Sequence, residues 1–152
     1  YANGLSKQGF IQYAKIREFS KACIERFNVK ASGPEAAAKS LSGGNVQKYI
    51  VGRELMLSPE VLMIAQPTWG VDVGAASFIR QTLLDLSQAG VAVLVISEEL
   101  DELFEICDRI AVIAAGQLSV AKPLAETSIE EIGLLMGGAR IASPAQEQRV
   151  SL

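Results

Sequence analysis

The chain has 152 residues and not one histidine. That absence excludes Ser-His-Asp triads, Cys-His dyads, histidine zinc sites and any imidazole acid/base switch. Cysteine is nearly absent too. Cys23 and Cys107 lie far apart and fit neither a metal-ligand spacing nor a CxxC pair. They read as buried thiols of a reducing compartment, not as a disulfide framework. Basic charge is not in excess: 14 Lys and Arg against 17 Asp and Glu give a net charge of −3, and the pI is about 5.1. A general nucleic-acid binder would need a basic stripe instead. No apolar run approaches the roughly 18–20 residues of a membrane span. The first residues lack the pattern of a secretory leader, and Tyr1 is not a natural start, so a stretch of a longer chain is expected. What is present is globular: 49% hydrophobic and 20% charged residues, enough for one domain or a large piece of one.

Charge and periodicity then order the chain. Lys7, Lys15, Arg17, Lys21, Arg26 and Lys30 crowd the first thirty residues, whereas Glu98, Glu99, Asp101, Glu102, Glu105 and Asp108 follow one another without a base. Two solvated helix faces account for this, or a basic helix that faces a nucleotide or partner. Phe10, Tyr13, Ile16, Phe19, Cys23 and Phe27 recur at helical steps and predict a helix over 7–27. A connection with Ser32-Gly33-Pro34 follows. A second helix carries Val46, Ile50, Val51 and Leu55, and Ser42 is expected to cap it by accepting a backbone N–H.

Val61–Ala65 and Val91–Ile96 are short continuous apolar runs, the look of strands buried on both faces. Between them Ala75–Gln88 is helical, with Gly90 just past its end. Glu99–Cys107 predicts a short acidic helix, and 109–115 with 117–121 a strand pair around Ala115-Gly116. Ser128 is expected to cap a last helix through Ile129, Ile132, Leu135 and Met136. The tail beyond Gly138 is expected to fray. The alternation is that of an α/β fold with parallel central strands. With three central strands the sheet is incomplete, its missing strands expected before Tyr1.

The most informative string is Leu41-Ser42-Gly43-Gly44-Asn45-Val46-Gln47-Lys48. Adjacent glycines admit a bulky anion to the backbone, and the following helix points free N–H groups and its positive end at it. Ser42 adds a hydroxyl and Asn45 an amide. No base is present, so the string binds phosphate rather than attacking it.

Leu41–Lys48 resembles the LSGGQ signature of the ABC-type ATPases. Val61–Ala65 followed by Pro67-Thr68 is similar to that family's Walker B strand, Gly70-Val71-Asp72 to its D-loop, and Val91–Glu99 to its switch strand. Order and spacing agree over about residues 5–138. Pro67–Ala75 resembles the PTRGxDVGA segment of tandem sugar and nucleoside importer ATPases, and Ile96–Leu103 the nucleoside-type branch. The resemblance implies the C-terminal part of a second ATPase half: a helical subdomain over 1–57, a core portion over 58–138, and a tail over 139–152. The first core strands and the Walker A loop are missing.

The departures carry as much meaning. The family's Walker B strand ends Asp-Glu, where this chain has Ala65 and Gln66. Alanine supports no metal, and an amide is no general base, whose contribution is typically about 10²–10⁴-fold. Gln66 could at most orient a water, as glutamines do in some GTPases. Glu98 stands where the family has its switch histidine. The Walker A nest and lysine, which hold the β- and γ-phosphates, are absent. Since ABC halves pair head to tail, the resemblance implies that Ser42, Gly43, Gly44 and Asn45 serve ATP held by the partner half. Ala65, Gln66 and Glu98 then belong to a degenerate second site, and Asp72 senses the other half or simply forms a turn. ATP and Mg²⁺ are implied for the intact protein, with no tight binding or hydrolysis by this piece.

The implied partners are the other ATPase half and membrane permease subunits, on the inner face of a bacterial membrane, with no nucleic acid. An exposed sheet edge makes self-association of the piece an expectation. Two other readings stay open: a non-catalytic α/β interaction module, and an ABC-type ATPase of DNA repair or translation. Lys48 and Arg53 on the signature helix face either solvent or phosphate. Trp69 either packs or sits between the halves.

Overall fold

The computed structural model describes residues 4–138. The chain divides between Ser97 and Glu98 into two compact units, each described by itself.

The first unit opens with a hairpin, β1 (Ser6–Lys7) and β2 (Phe10–Ile11), paired antiparallel. Its turn residues Gln8 and Gly9 have φ of 52° and 83°, the left-handed pair that lets a two-residue loop follow strand twist. The first helix, α1, therefore runs Tyr13–Arg26, not 7–27 as its periodicity predicts. Phe10 lies on the strand and is 78% exposed. From Ile16 onward the stripe is real, and Cys23 and Phe27 are buried.

They meet α2 (Gly43–Leu55). Cys23, Phe27 and Val29 form a core against Tyr49, Leu55 and Phe78, and Ser20 Oγ and Tyr49 OH are hydrogen-bonded across the pair at 2.9 Å. A buried ring such as Phe27 contributes about 1.5–3 kcal/mol by leaving water. Gly52 makes this approach possible: a Cβ there would stand 2.4 Å from the Phe27 ring. Burial pushes the Cys23 thiol up, with the positive charge of Arg53 partly opposing it. Cys107, in the second unit, is half-buried and also free. Burial, Asp108 and Glu102 all raise it.

The strand β3 (Val61–Ala65), the helix α3 (Val73–Gln88) and the strand β4 (Ala92–Ile96) complete the first unit. β3 and β4 are parallel, Val61 opposite Ala92 and Ala65 opposite Ile96. α3 buries Ala75, Ile79 and Leu83. Leu62 is buried and Ile64, Val93 and Val95 are half-buried, while Val61, Met63, Leu94 and Ile96 are exposed. The expectation of strands buried on both faces is thus corrected. The sheet has two strands, and one of its faces is uncovered among the described residues.

The second unit begins with α4 (Leu100–Ile106). The third central strand expected over 109–115 is instead two short pieces. β5 (Arg109–Ile110) pairs antiparallel with β8 (Lys122–Pro123), and β6 (Ile113–Ala114) with β7 (Gln117–Leu118). Ala115 and Gly116, at φ of 49° and 76°, make the expected tight turn. Ser128 caps α5 (Ile129–Met136), its Oγ accepting the Glu131 N–H at 3.1 Å, and Ile132 is buried. The acidic run is not wholly a solvated face. Glu102 is 2% exposed, and its carboxylate oxygens have no hydrogen-bond partner among the described residues. Among those residues no helix is long and apolar enough to cross a membrane. The tail expected to fray lies outside them.

Candidate functional site

The signature string folds into a turn and the first coil of α2. A short 3-10 turn (Ala38–Ser40) leads to extended Leu41 and to Ser42 at φ −66°, ψ 157°. The N–H groups of Asn45 and Val46 both donate to the Ser42 carbonyl at 3.0 Å. The Ser42 side chain does not cap the helix as expected. Its Oγ instead accepts from Asn45 Nδ2 at 2.8 Å, and Asn45 Oδ1 accepts the Lys30 N–H at 2.7 Å. An amide has two donors and one carbonyl, so this pair of bonds fixes which way Asn45 faces. Ser42 keeps its hydroxyl hydrogen to give away.

Ser42 and Gly43 are exposed. Among the described residues the N–H groups of Gly43 and Gly44 find no acceptor, and the first turn of α2 contains no acid. Two free amides, an oriented hydroxyl and the positive end of a 13-residue helix fit a phosphoryl group. Lys48 does not join them: its ammonium sits over the Phe78 ring at 5.0 Å. Arg53 pairs with Glu54.

Directly against this turn lies the Thr68–Asp72 segment. Gly70 supplies the left-handed φ of 69° there, a conformation only glycine adopts freely. Asp72 is the N-cap of α3, its Oδ1 accepting the Ala75 N–H at 2.9 Å. The carboxylate is thus engaged on its own helix. Trp69 is 73% exposed and does not pack into its unit. The structure brings Ser42–Asn45 and Gly70–Ala75 together, with Gly43 facing the Gly70 carbonyl and Gly44 facing Ala75.

Ala65 ends β3 on its exposed face. Gln66 follows at φ 48°; its N–H donates to the Ile96 carbonyl at 2.7 Å, and its carbonyl accepts from the Trp69 N–H at 3.2 Å. The backbone of this corner is spent within the unit. Ala65 presents a methyl, which cannot hold a metal. No group of three or more metal-ligating side chains is present among the described residues. Glu98 is exposed and opens the second unit. Sequence reasoning missed the Lys30 amide and Ala75. No local pattern marks the first. The second sits one turn into a helix whose Asp cap was a visible signal.

No family model matches the chain. The nucleoside import ATP-binding protein NupA of Lactococcus lactis subsp. cremoris is 44% identical over 141 residues, 93% of this chain and 28% of the relative. The ribose import ATP-binding protein RbsA of Bacillus subtilis is 36% identical over 138 residues, 91% of this chain and 28% of its own length. The chain therefore spans about a quarter of the length of the relatives it matches. A dimeric ATP-binding cassette, solved in a post-hydrolysis state with ADP and Pi, superposes with a TM-score of 0.64. It shares 23% identity over 78% of this chain and 51% of that one, which shows the fold: helices and sheets of a partial ABC ATPase domain. Over about 90% of its length the chain is thus similar to the ATP-binding proteins of ABC-type nucleoside and sugar importers.

Proposed function

We propose that this chain is the signature-bearing part of an importer ATPase half. It presents Ser42, Gly43, Gly44 and Asn45 to the γ-phosphate of ATP held by the partner half. The observation that carries this reading is the turn itself, where two amides without acceptors among the described residues stand beside a hydroxyl that Asn45 leaves free to donate. Donors aimed at a phosphoryl group act by electrostatic preorganisation, and removing one such donor costs about 10²–10³ in rate.

Its own corner is degenerate. Ala65 offers no ligand to Mg²⁺, Gln66 no general base, and Glu98 no imidazole. Residues 1–152 alone then bind ATP weakly and hydrolyse none, and the intact protein uses ATP and Mg²⁺ at the competent site. Residues 1–57 act as the helical subdomain and 58–138 as the core portion. The other half and membrane permease subunits are the partners, and the protein works on the cytoplasmic face of the membrane. The imported solute is a nucleoside or a simple sugar; the higher identity to NupA than to RbsA favours the nucleoside. The exposed face of Val61, Met63, Leu94 and Ile96 supports self-association of the isolated piece.

The test is steady-state ATPase of the intact transporter carrying single substitutions in this chain. Ser42→Arg should abolish turnover, and Gln66→Ala should leave it nearly unchanged. Equal damage from both would overturn the division of labour.

A further inference from the structure

Gly44 is buried and lacks the positive φ that calls for glycine. Space explains it instead. A Cβ on Gly44 would stand 2.9 Å from the Ala75 Cβ, 3.1 Å from Asp72 Oδ2 and 3.8 Å from the Val71 Cβ. Real Cβ atoms do not approach to 2.9 Å, and the Ala75 methyl has no rotamer by which to yield. A Cβ on Gly43 would stand 3.0 Å from the Gly70 carbonyl oxygen. The N-terminal turns of α2 and α3 therefore meet where Gly44 faces Ala75, with no room for another carbon between them.

The consequence runs through a hydrogen bond. Ala75 donates the very N–H that the Asp72 carboxylate caps, so anything that pushes Ala75 strains the cap and the turn before it. If α3 holds, α2 must lift instead, and the N–H groups of Gly43 and Gly44 tilt with it.

We propose that Gly44 and Ala75 are matched positioning residues that hold the signature turn and the Gly70–Asp72 turn of the same half as one piece. Both turns then meet the partner half in a fixed mutual geometry. This inference rests on the reading of Ser42–Asn45 as phosphate-facing, and it assigns to packing what the sequence suggests is a need of the anion. A methyl at 44 forces a displacement of about 1 Å, which at a reacting centre can cost about 100-fold.

The experiment is a double-mutant cycle in the intact transporter ATPase, with kcat, KM for ATP and thermal unfolding measured for each variant. Gly44→Ala should lower kcat about 100-fold. Adding Ala75→Gly, which removes the opposing methyl, should restore kcat to within about fivefold of the parent, a coupling expected only of residues in contact. Ala75→Val, outside the signature, should lower kcat about tenfold or more, and it keeps the question open to test should Gly44→Ala not fold. Gly52→Ala is the control: the same change on the same helix, against the Phe27 ring, should lower the unfolding temperature and spare kcat. No rescue by Ala75→Gly, or an unimpaired Ala75→Val, would overturn the proposal and return Gly44 to the nucleotide side. An active Ser42→Arg transporter would instead sink the phosphate-facing reading, whatever the cycle shows.

Discussion

Two corners of the first unit are built from similar parts and end in opposite states. At Ser42 the chain turns into α2 with the amides of Gly43 and Gly44 unclaimed among the described residues and a hydroxyl held by Asn45. At Gln66 it leaves β3 with the backbone N–H committed to Ile96 and the carbonyl to Trp69. Among the described residues the first corner leaves hydrogen-bonding capacity open, and the second consumes it in the fold. Neither bears a carboxylate of the Walker B kind. On the function proposed above, the difference is that between what a half lends to a neighbour's nucleotide and what it needs for its own.

The strongest challenge to that contrast is Ser42→Arg. The guanidinium is bulky and sits on an exposed position, where the proposed function brings the γ-phosphate. ATPase of the intact transporter should fall more than about 100-fold, in line with loss of a preorganised donor. Retained turnover would make the first corner as idle as the second.

Next in size is Asn45→Asp. A carboxylate can still accept the Lys30 N–H, but it cannot donate to Ser42. The Ser42 hydroxyl hydrogen then turns to the carboxylate and is lost to the phosphate, where a negative charge now also faces it. A loss of about 100-fold is expected, and about tenfold for Asn45→Ala, which only frees the serine. In a Ser42→Ala background Asn45→Ala should add little, because the two act as a unit. Full additivity in that cycle would show that the amide acts independently of the serine.

Part of this was legible beforehand. Helical periodicity located α2, α3 and α5, the apolar runs located β3 and β4, and Ser128 announced its cap. The hairpin over Ser6–Ile11 was missed because Phe10 and Tyr13 fall in step with the helix that follows; the informative signal was Gly9, a left-handed turn residue. The bare face of β3 and β4 was not readable, since a run of apolar residues does not say how many strands flank it. The string 41–48 located the turn and first coil of α2, on which the proposed phosphate contact rests. Only coordinates could show that Asn45 takes the Ser42 oxygen before any backbone N–H does, or that Gly44 faces an alanine thirty-one positions away.

The smallest effects belong to the second corner and sharpen the comparison most. Gln66→Ala should change the ATPase rate less than about threefold, because the backbone bonds that define this corner do not involve the side chain. Gln66→Gly asks a different question. Gln66 holds φ at 48°, where a residue with a Cβ is disfavoured by about 1–2 kcal/mol. Glycine removes that strain and gives back part of it through greater freedom in the unfolded chain. Denaturant unfolding of the intact subunit should therefore show a gain of about 0.5–1 kcal/mol with turnover unchanged. A stabilised variant that loses ATPase would mean that the Gln66 side chain positions a water after all, and the two corners would no longer divide the work as their hydrogen bonds suggest.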